Sequence, residues 1–306
     1  MKSFIKKYLP HLWHHLKLAQ RHWEEYSHAC LQKKVKKILN SSTSPNTNRA
    51  EIEFQVIQDA YPPYPPYGYD EYSVWTRAAS RSLEILRIEG MEIPGKKILE
   101  IGCGDGMVSY WLRKYGHQVW LTDAEDWRSD RAKDLFFCKM DINQKWEGLP
   151  ETSFDLIFSY NSFEHFAEPA EVLRQMKEHL VPGGRIYLNF APLYCSPWGL
   201  HAYNTLKMPY PQFLFSEDFI INKLNELGIR DLGKEQNSLQ FTNRWRVNAY
   251  ENLWKSSGME LETIKRLRTE EHLNMIARYP ECFSGRALTL EDVTLYFYSL
   301  ILKKHE

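Results

Sequence analysis

The sequence of 306 residues contains no long apolar segment. A membrane-spanning helix needs roughly 18 or more consecutive apolar residues, and a secretory signal needs a shorter apolar core behind a basic start. The sequence shows neither pattern. We therefore expect the protein to be cytoplasmic.

Cysteine is scarce, and its spacing forms no recognisable pattern. The five residues are odd in number, widely separated and without a C-x-x-C pair. They are Cys30, Cys103, Cys138, Cys195 and Cys282. Disulfide frameworks have even numbers of cysteines, and cysteine-held zinc sites have closely spaced pairs. We therefore expect reduced thiols and neither of those two structures.

Apolar residues make up 43% of the chain and charged residues 25%, which is typical of a globular rather than a disordered protein. The formal net charge is zero, but it is unevenly distributed. Residues 1–40 contain nine Lys or Arg and two acids, and nine minus two gives +7. The rest of the chain must then carry −7.

The basic segment at residues 1–40 is predicted to form a helix with one apolar side. Its apolar residues recur at alternating steps of four and three, at Leu12, Leu16, Ala19, Trp23, Tyr26 and Cys30. Such a helix can bind a membrane surface, a nucleic acid or a partner protein. We favour a helix packed on its own domain, and leave open a peripheral membrane or protein contact through residues 1–40.

Two irregular stretches follow this helix. The polar stretch SSTSPNTN at 41–48 predicts a linker, and the paired prolines of YPPYPPYGYDEY at 61–72 exclude a regular helix. We expect the second stretch to be a rigid loop packed over the main domain, followed by a helix at 74–87. These features divide the chain into a helical N-terminal extension at 1–90 and a domain at 91–306.

Strand-like and helix-like segments alternate from residue 91 onward. This alternation predicts an α/β fold, with a parallel sheet covered by helices on both faces. In such sheets ligands bind at the carboxyl ends of the strands, where the strand order reverses. The predicted strands are 97–101, 118–122, 135–139, 154–159 and 185–190.

A glycine-rich bend follows the first predicted strand. Glu100, Gly102, Gly104 and Gly106 spell acid-x-G-x-G-x-G, whereas the dinucleotide fingerprint G-x-G-x-x-G would need a glycine where Met107 stands. The pattern resembles motif I of class I S-adenosylmethionine-dependent methyltransferases. In that family the glycines let the main chain lie against the amino-acid part of the cofactor.

The resemblance is close over residues 96–194 and loose over 255–304. It implies a Rossmann-like, seven-stranded and mostly parallel sheet with an antiparallel last strand, an N-terminal helical extension and a cap inserted at about 191–254. An acid at the end of the second strand would bind the ribose hydroxyls, and one after the third strand would bind the adenine amino group. The resemblance implies cofactor contacts at Glu100, Gly102, Cys103, Gly104, Asp123, Ala124, Asp141, Ile142, Ser159 and Asn161.

Candidate catalytic residues follow the fourth and fifth predicted strands. NSFEHF places Glu164 and His165 where the methyl group is expected, and S-P-x-G-x-H adds His201. A hydroxyl acceptor must be aligned with the methyl group and must lose its proton. Because imidazole titrates near neutral pH, we predict that one histidine is the base and that Glu164 orients the pair.

The same three residues resemble the ligand set of metal-assisted O-methyltransferases, such as those of the ubiquinone pathway and of small-RNA 2′-O-methylation. Those families have a further Glu three residues before the Glu-His pair. This chain has Asn161 there, which is a weaker ligand for a hard or borderline cation. We therefore favour a metal-free base and leave a divalent metal open.

The resemblance implies S-adenosylmethionine as the cofactor and methyl transfer as the activity. We expect a small-molecule acceptor, methylated on a hydroxyl oxygen, and leave the oligomeric state open. Alternatives are an RNA methyltransferase and a non-catalytic binding module. Nucleic acid is not the expected partner, because only residues 1–40 are basic. A nicotinamide-dependent oxidoreductase is a further alternative, because Tyr110 and Lys114 form a Tyr-x-x-x-Lys pair. This pair directly follows the glycine bend, whereas the catalytic pair of short-chain dehydrogenases lies far from it.

Overall fold

Nine strands form in the computed structural model within the described part of the chain, which comprises residues 10–63, 68–151, 153–202, 205–231, 234–236 and 239–305. They are β1 (Lys97–Ile101), β2 (Gln118–Asp123), β3 (Phe136–Lys139), β4 (Phe154–Tyr160), β5 (Leu180–Phe190), β6 (Ile229–Asp231), β7 (Lys234–Gln236), β8 (Glu260–Arg268) and β9 (Leu295–Lys303).

Seven of these strands form one sheet in the order β3-β2-β1-β4-β5-β9-β8. Strands β1 to β5 pair in parallel, whereas β9 is antiparallel to both of its neighbours, β5 and β8. The other two strands, β6 and β7, pair with each other only. This arrangement confirms the predicted seven-stranded, mostly parallel sheet with an antiparallel last strand.

The helices of the described residues lie before, between and after the strands. They are α1 (Pro10–Leu39), α2 (Asn48–Ile52), α3 (Phe54–Asp59), α4 (Glu71–Leu86), α5 (Met107–Lys114), α6 (Pro169–Glu178), α7 (Pro211–Leu214), α8 (Glu217–Leu227), α9 (Val247–Ser256), α10 (Leu273–Arg278), α11 (Pro280–Phe283) and α12 (Leu290–Thr294). Short 3₁₀ turns span Asp130–Ala132 and Phe163–His165. None of the described helices combines the length and the apolar character needed to cross a membrane.

Apolar clusters cover both faces of the sheet, as expected for parallel strands. In β1, Ile98 packs with helices α4 and α5 on one face, and Leu99 packs with α6 and α9 on the other. A third cluster contains residues of helices α1, α2 and α3, together with residues from the segments 195–224 and 273–293. The N-terminal extension and the predicted cap therefore share a core, to which the segment between β8 and β9 also contributes.

Most predicted boundaries agree with the structure within one or two residues, with two differences. Strand β5 begins at Leu180 rather than at residue 185, because Gly183 and Gly184 do not end it and the irregular pairing with β4 accommodates them. Helix α4 begins at Glu71 rather than at residue 74, because the Asp70 side chain accepts a hydrogen bond from the Ser73 N–H and caps the helix.

The basic N-terminal helix is confirmed as α1, but its predicted packing on its own domain is only partly correct. Val35 and Leu39 in its last turns are buried. The described side chains from His14 to Cys30 are all exposed. Residues 1–9, which complete the basic segment, lie outside the described residues, as do the side chains of Leu12, Leu16 and Ala19.

Candidate active site

A cavity of about 1930 Å³ lies at the carboxyl ends of β1 to β4. It is lined by the loop after β1, by the residues that end β2 and β4, and by residues that follow β3, β5 and β8. Helix α4 of the N-terminal extension closes one side. The strand order reverses between β1 and β4, so the cavity occupies the position expected for a ligand site in an open α/β sheet.

The glycine bend forms one wall of this cavity. Gly102 and Gly104 have φ values of +65° and +51°, which lie in the left-handed region that favours glycine. A Cβ at Gly102 would lie 2.4 Å from the Ser162 Oγ atom. A Cβ at Gly104 would meet no protein atom within 4 Å. The main chain at Gly104 is therefore open to the cavity, and the main chain at Gly102 lies against Ser162, which follows β4.

Asp123, at the end of β2, braces the same bend. Its Oδ2 atom accepts a hydrogen bond from the Gly104 N–H at 2.9 Å, and its Oδ1 atom accepts one from the Ala124 N–H at 2.8 Å. Burial raises the pKa of Asp123, and these two donors oppose that shift. Each carboxylate oxygen has a second lone pair, so Asp123 can still accept hydrogen bonds from a pair of hydroxyl groups.

Glu100 is a buried acid at the base of the cavity. Its side chain is 3% exposed, and its Oε2 atom has no hydrogen-bond partner among the described residues. Burial raises its pKa to about 8. An unsatisfied buried carboxyl is costly, and an ammonium group in the cavity would remove that cost.

The remaining predicted cofactor residues, apart from one, also line the cavity. Asp141, Ile142 and Asn161 do so after β3 and β4, and Cys103 does so within the glycine bend. Burial raises the pKa of the Cys103 thiol, which agrees with a packing role rather than a reactive one. Ser159 is the exception: it is buried in the sheet, and its Oγ atom donates a hydrogen bond to the Ile101 carbonyl at 2.9 Å.

The predicted catalytic residues come together in the lining of the same cavity. The ring centroids of His165 and His201 are 4.8 Å apart, and their planes are inclined at 74°. His165 Nδ1 lies 2.5 Å from the Phe241 carbonyl, and His201 Nε2 lies 3.1 Å from the Pro192 carbonyl. A carbonyl can only accept, so each of these nitrogens donates. The lone pairs therefore remain on His165 Nε2 and His201 Nδ1.

Glu164 completes this group as a second buried acid. It is 2% exposed, and neither carboxylate oxygen has a hydrogen-bond partner among the described residues. Its Oε1 atom lies 3.9 Å from His165 Nε2, beyond hydrogen-bond distance. Burial raises the pKa of Glu164 to about 8. The Glu164 and Ala191 N–H groups are near enough to favour the ionised form, and a donor or a cation bound in the cavity would satisfy the oxygens that no described residue bonds.

Burial favours the neutral form of both imidazoles. Burial lowers the pKa of His165, and burial together with the neighbouring His165 lowers that of His201 to about 3. A neutral imidazole can take a proton or bind a metal. One ligand atom from each of Glu164, His165 and His201 lies within 4.8 Å of the others. In both histidines the other ring nitrogen donates a hydrogen bond to a backbone carbonyl, as it commonly does in metal-binding histidines.

Several cavity residues were not identified from the sequence. Arg81 of α4 lies over the Tyr160 ring at 4.6 Å and is close enough to favour the ionised forms of Glu100 and Glu164. Its position on one helical face with Val74 is the only sequence signal that could have indicated it. The aromatic residues Phe241, His272 and Tyr296 also line the cavity. They come from separate loops and strand ends, so no local pattern connects them.

The charged lining of the cavity is mainly acidic. Three arginines face eight acids, so the formal charge is −5, or −3 when Glu100 and Glu164 are protonated, as their raised pKa values favour. No lysine lines the cavity in the part of the chain that the structure describes. The acids are Glu71, Glu100, Asp105, Asp123, Asp130, Asp141, Glu164 and Glu271, and the arginines are Arg77, Arg81 and Arg131.

Comparison with known proteins identifies a family. The sequence model of the methyltransferase domain matches residues 76–263, more than half of the chain. Ribosomal RNA small subunit methyltransferase C of Chromohalobacter salexigens is 30% identical over 131 residues, which cover 40% of this chain and 38% of that protein. The mitochondrial ubiquinone biosynthesis O-methyltransferase of Schizosaccharomyces pombe is 32% identical over 104 residues, which cover 31% and 38%.

These matches span less than two fifths of the length of either relative. Among solved structures, an S-adenosylmethionine-dependent methyltransferase from Mesorhizobium loti is 18% identical, with a TM-score of 0.45. That match covers 74% of this chain and 98% of the other.

Proposed function

This chain belongs to the class I S-adenosylmethionine-dependent methyltransferases, and from that membership we propose that it methylates a hydroxyl oxygen of a small-molecule acceptor. The observation that carries the proposal is the pair of neutral imidazoles, His165 and His201, which meet in the same cavity as the glycine bend. A hydroxyl acceptor requires a base within reach, and both imidazoles have a lone pair for its proton. His165 is the expected base, because burial and the neighbouring His165 ring lower the pKa of His201 to about 3, far below neutral pH.

The cavity residues fit the cofactor that the family implies. S-adenosylmethionine supplies an electrophilic methyl group on a sulfonium. Glu100 has an unsatisfied buried oxygen suited to an ammonium group, and the open main chain at Gly104 permits close approach. Asp123 would accept from the ribose hydroxyls, and Asp141 with Ile142 would hold the adenine.

The acidic lining supports a small molecule over RNA as the acceptor. Proteins bind nucleic acid mainly through Lys and Arg contacts to phosphate, and the cavity has three arginines and no lysine among the described residues. The named relatives include an RNA methyltransferase and an O-methyltransferase of ubiquinone biosynthesis. The charge of the cavity favours the second kind of acceptor.

The predicted division of the chain suggests which segments surround the acceptor. We propose that the extension at residues 1–90 and the insertion at about 191–254 close the acceptor pocket around a methyltransferase domain at 91–306. Trp75 of α4 and Trp198 of the insertion both line the cavity, which supports this division. The cytoplasmic location stays a prediction.

A divalent cation is the second candidate for activating the hydroxyl. The observation that favours it is the set of three converging donors, the buried Glu164 and His201 and the partly buried His165, with both carboxylate oxygens unsatisfied. A carboxylate and two imidazoles suit a borderline cation such as Zn²⁺. Bound there, the cation would lower the pKa of the acceptor hydroxyl and orient it.

One experiment tests the acceptor class. The protein is incubated with cell extract and S-adenosylmethionine labelled in its methyl group, with and without prior ribonuclease treatment, and labelled products are identified by mass spectrometry. We expect a labelled O-methyl small molecule that ribonuclease does not affect. Label confined to RNA would contradict the proposal. Loss of transfer on chelation, with recovery on adding divalent cation, would assign proton removal to the metal-assisted route.

A further inference from the structure

Helix α1 has two sides with different surroundings. In its last turns, Val35 and Leu39 are buried in the cluster that includes α10 and α11. One side also faces the protein further up the helix, where His28 Nε2 lies 2.6 Å from Glu270 Oε2. These contacts define the inner side of α1, which holds the helix on the protein.

The other side of the helix is turned away from the protein. Val35 follows Tyr26 by nine residues (35 − 26), which is about two and a half turns at 3.6 residues per turn, so the two side chains point in opposite directions. Trp23 and Tyr26 are 69% and 64% exposed, and their rings contact each other with centroids 6.2 Å apart. No described residue covers this pair.

Lysines continue along the same side. Lys34 follows Trp23 by eleven residues (34 − 23), and Lys37 follows Tyr26 by eleven (37 − 26). Eleven residues make about three turns, so each lysine lies on the side of the corresponding aromatic residue. Lys33 lies beside them, and all three lysines are exposed. We call Trp23, Tyr26, Cys30, Lys33, Lys34 and Lys37 the outer face.

The charge of the whole chain points in the same direction. Residues 1–40 carry +7 and the remainder carries −7. The helix has 30 residues and extends over about 45 Å at 1.5 Å per residue. Helix α1 itself has six Lys or Arg and two acids, and six minus two gives +4, so an anionic surface would attract this helix and repel the acidic remainder of the protein.

We propose that the outer face of α1 binds an anionic phospholipid surface. Trp and Tyr are enriched at the level of lipid head groups, and lysines near a membrane are attracted to acidic lipids. The outer face has both kinds of residue in one line. A second copy of the chain is a poorer occupant, because packing outer face on outer face would bring two lysine-rich surfaces together, and like charges oppose association.

The test uses the full-length protein and two kinds of vesicle, one of phosphatidylcholine alone and one that also contains phosphatidylglycerol. In a flotation assay we expect binding to the second kind only, weakening as salt is added, because exposed charges are screened. This readout does not depend on methyl transfer. The membrane proposal can therefore fail while the proposed methyl transfer holds, and methyl transfer can fail while the membrane proposal holds.

Two sets of substitutions separate the contributions of the outer face. Trp23→Ser with Tyr26→Ser removes the aromatics, and changing Lys33, Lys34 and Lys37 to Gln removes the charge. Each set should weaken vesicle binding at least about tenfold, because both apolar insertion and attraction to acidic lipid contribute. All five side chains are exposed, so circular dichroism should show an unchanged fold.

Matched controls remove similar groups elsewhere on the surface. Tyr72→Ser truncates an exposed aromatic on α4, and Lys145→Gln removes an exposed lysine near β3. Neither should alter vesicle binding. Equal binding to both kinds of vesicle, or full binding by both variant sets, would overturn the proposal. The proposal would also be overturned if the wild-type protein bound no vesicles but formed a dimer that the aromatic substitutions dissociate. The same holds if the protein bound nucleic acid and neither kind of vesicle.

Discussion

His165 and His201 meet at the cavity with their ring centroids 4.8 Å apart, although they follow different strands of the sheet. His165 lies in the 3₁₀ turn after β4, and His201 lies in the loop after β5 with a left-handed φ of +58°. The parallel neighbours β4 and β5 end at the same edge of the sheet, and this brings the two loops together. Each ring is fixed by one backbone carbonyl.

We expect His165→Ala and His201→Ala to slow methyl transfer while leaving cofactor affinity nearly unchanged. Loss of a general base typically reduces the rate roughly 10²- to 10⁴-fold, and the smaller effect should come from whichever histidine only positions the other. Single-turnover rates with the identified acceptor and calorimetry with S-adenosylhomocysteine measure the two properties.

His22→Ala is the control for this pair, because His22 is an exposed histidine on α1. It should leave both the rate and the affinity unchanged. If the two cavity variants react as fast as wild type, proximity and orientation rather than proton removal supply the rate.

The sequence predicted the features that depend on local pattern. Strand and helix periodicities located all five strands from β1 to β5, and the acid-x-G-x-G-x-G spacing located the bend where positive φ is required. The Glu164 and His165 pair was predicted because it directly follows a strand end. Each of these signals lies within a short segment of the chain.

Features that depend on tertiary packing were not predicted. Arg81 reaches the cavity because α4 packs on α5, where the rings of Trp75 and Trp111 lie 4.6 Å apart. Ser159 was predicted to touch the cofactor, but side chains along a strand alternate between faces, and its hydroxyl is directed to the Ile101 carbonyl. The apolar residues of α1 recur with the same period as those of a packed helix, so the sequence did not indicate that the outer face is exposed.

Asp123→Ala should weaken cofactor binding. The carboxylate both holds the Gly104 main chain at 2.9 Å and has lone pairs for two hydroxyls, so its loss removes charge-assisted hydrogen bonds of about 1.5–3 kcal/mol each. We expect affinity for S-adenosylmethionine to fall by at least about tenfold, as measured by calorimetry. Asp218→Ala on the exposed side of α8 is the matched control. Wild-type affinity in Asp123→Ala would exclude this role.

Gly102→Ala should destabilise the protein and impair cofactor binding. The new methyl group would lie 2.4 Å from the Ser162 Oγ atom, and the φ of +65° is unfavourable for alanine. Strain and contact together should cost roughly 2–4 kcal/mol of the free energy of unfolding. Urea denaturation measures this loss.

Gly183→Ala separates strain from contact. Gly183 has a similar φ of +73°, but a Cβ there meets no atom within 4 Å. It should show the cost of backbone strain alone, about 1–2 kcal/mol, with cofactor binding intact. The double variant Gly102→Ala with Ser162→Gly should be more stable than Gly102→Ala alone. The gain in the free energy of unfolding should equal the difference between Gly102→Ala and Gly183→Ala. Equal losses at both glycines would show that the contact with Ser162 contributes nothing.

Glu164→Gln should make the cofactor-free protein more stable at neutral pH. Burial raises the pKa of Glu164 to about 8, whereas an unfolded chain has a Glu pKa near 4.3. Between these values the folded protein retains a proton that the unfolded chain releases. Because the folded state binds more protons, its stability falls as pH rises through this window. Glutamine does not ionise, so it avoids this loss.

The stability of Glu164→Gln relative to wild type should therefore be smallest near pH 4, rise through the window and level off above about pH 8. At pH 7 the gain should be roughly 2–4 kcal/mol. Urea denaturation of both proteins across this range measures the difference, and subtracting wild type removes the contributions of the other titrating groups. Glu100→Gln, whose carboxyl has a pKa raised by burial to about 8, should show the same direction. A difference that does not change with pH would mean that Glu164 is ionised in the folded protein, held by a cation or a donor at its two oxygens.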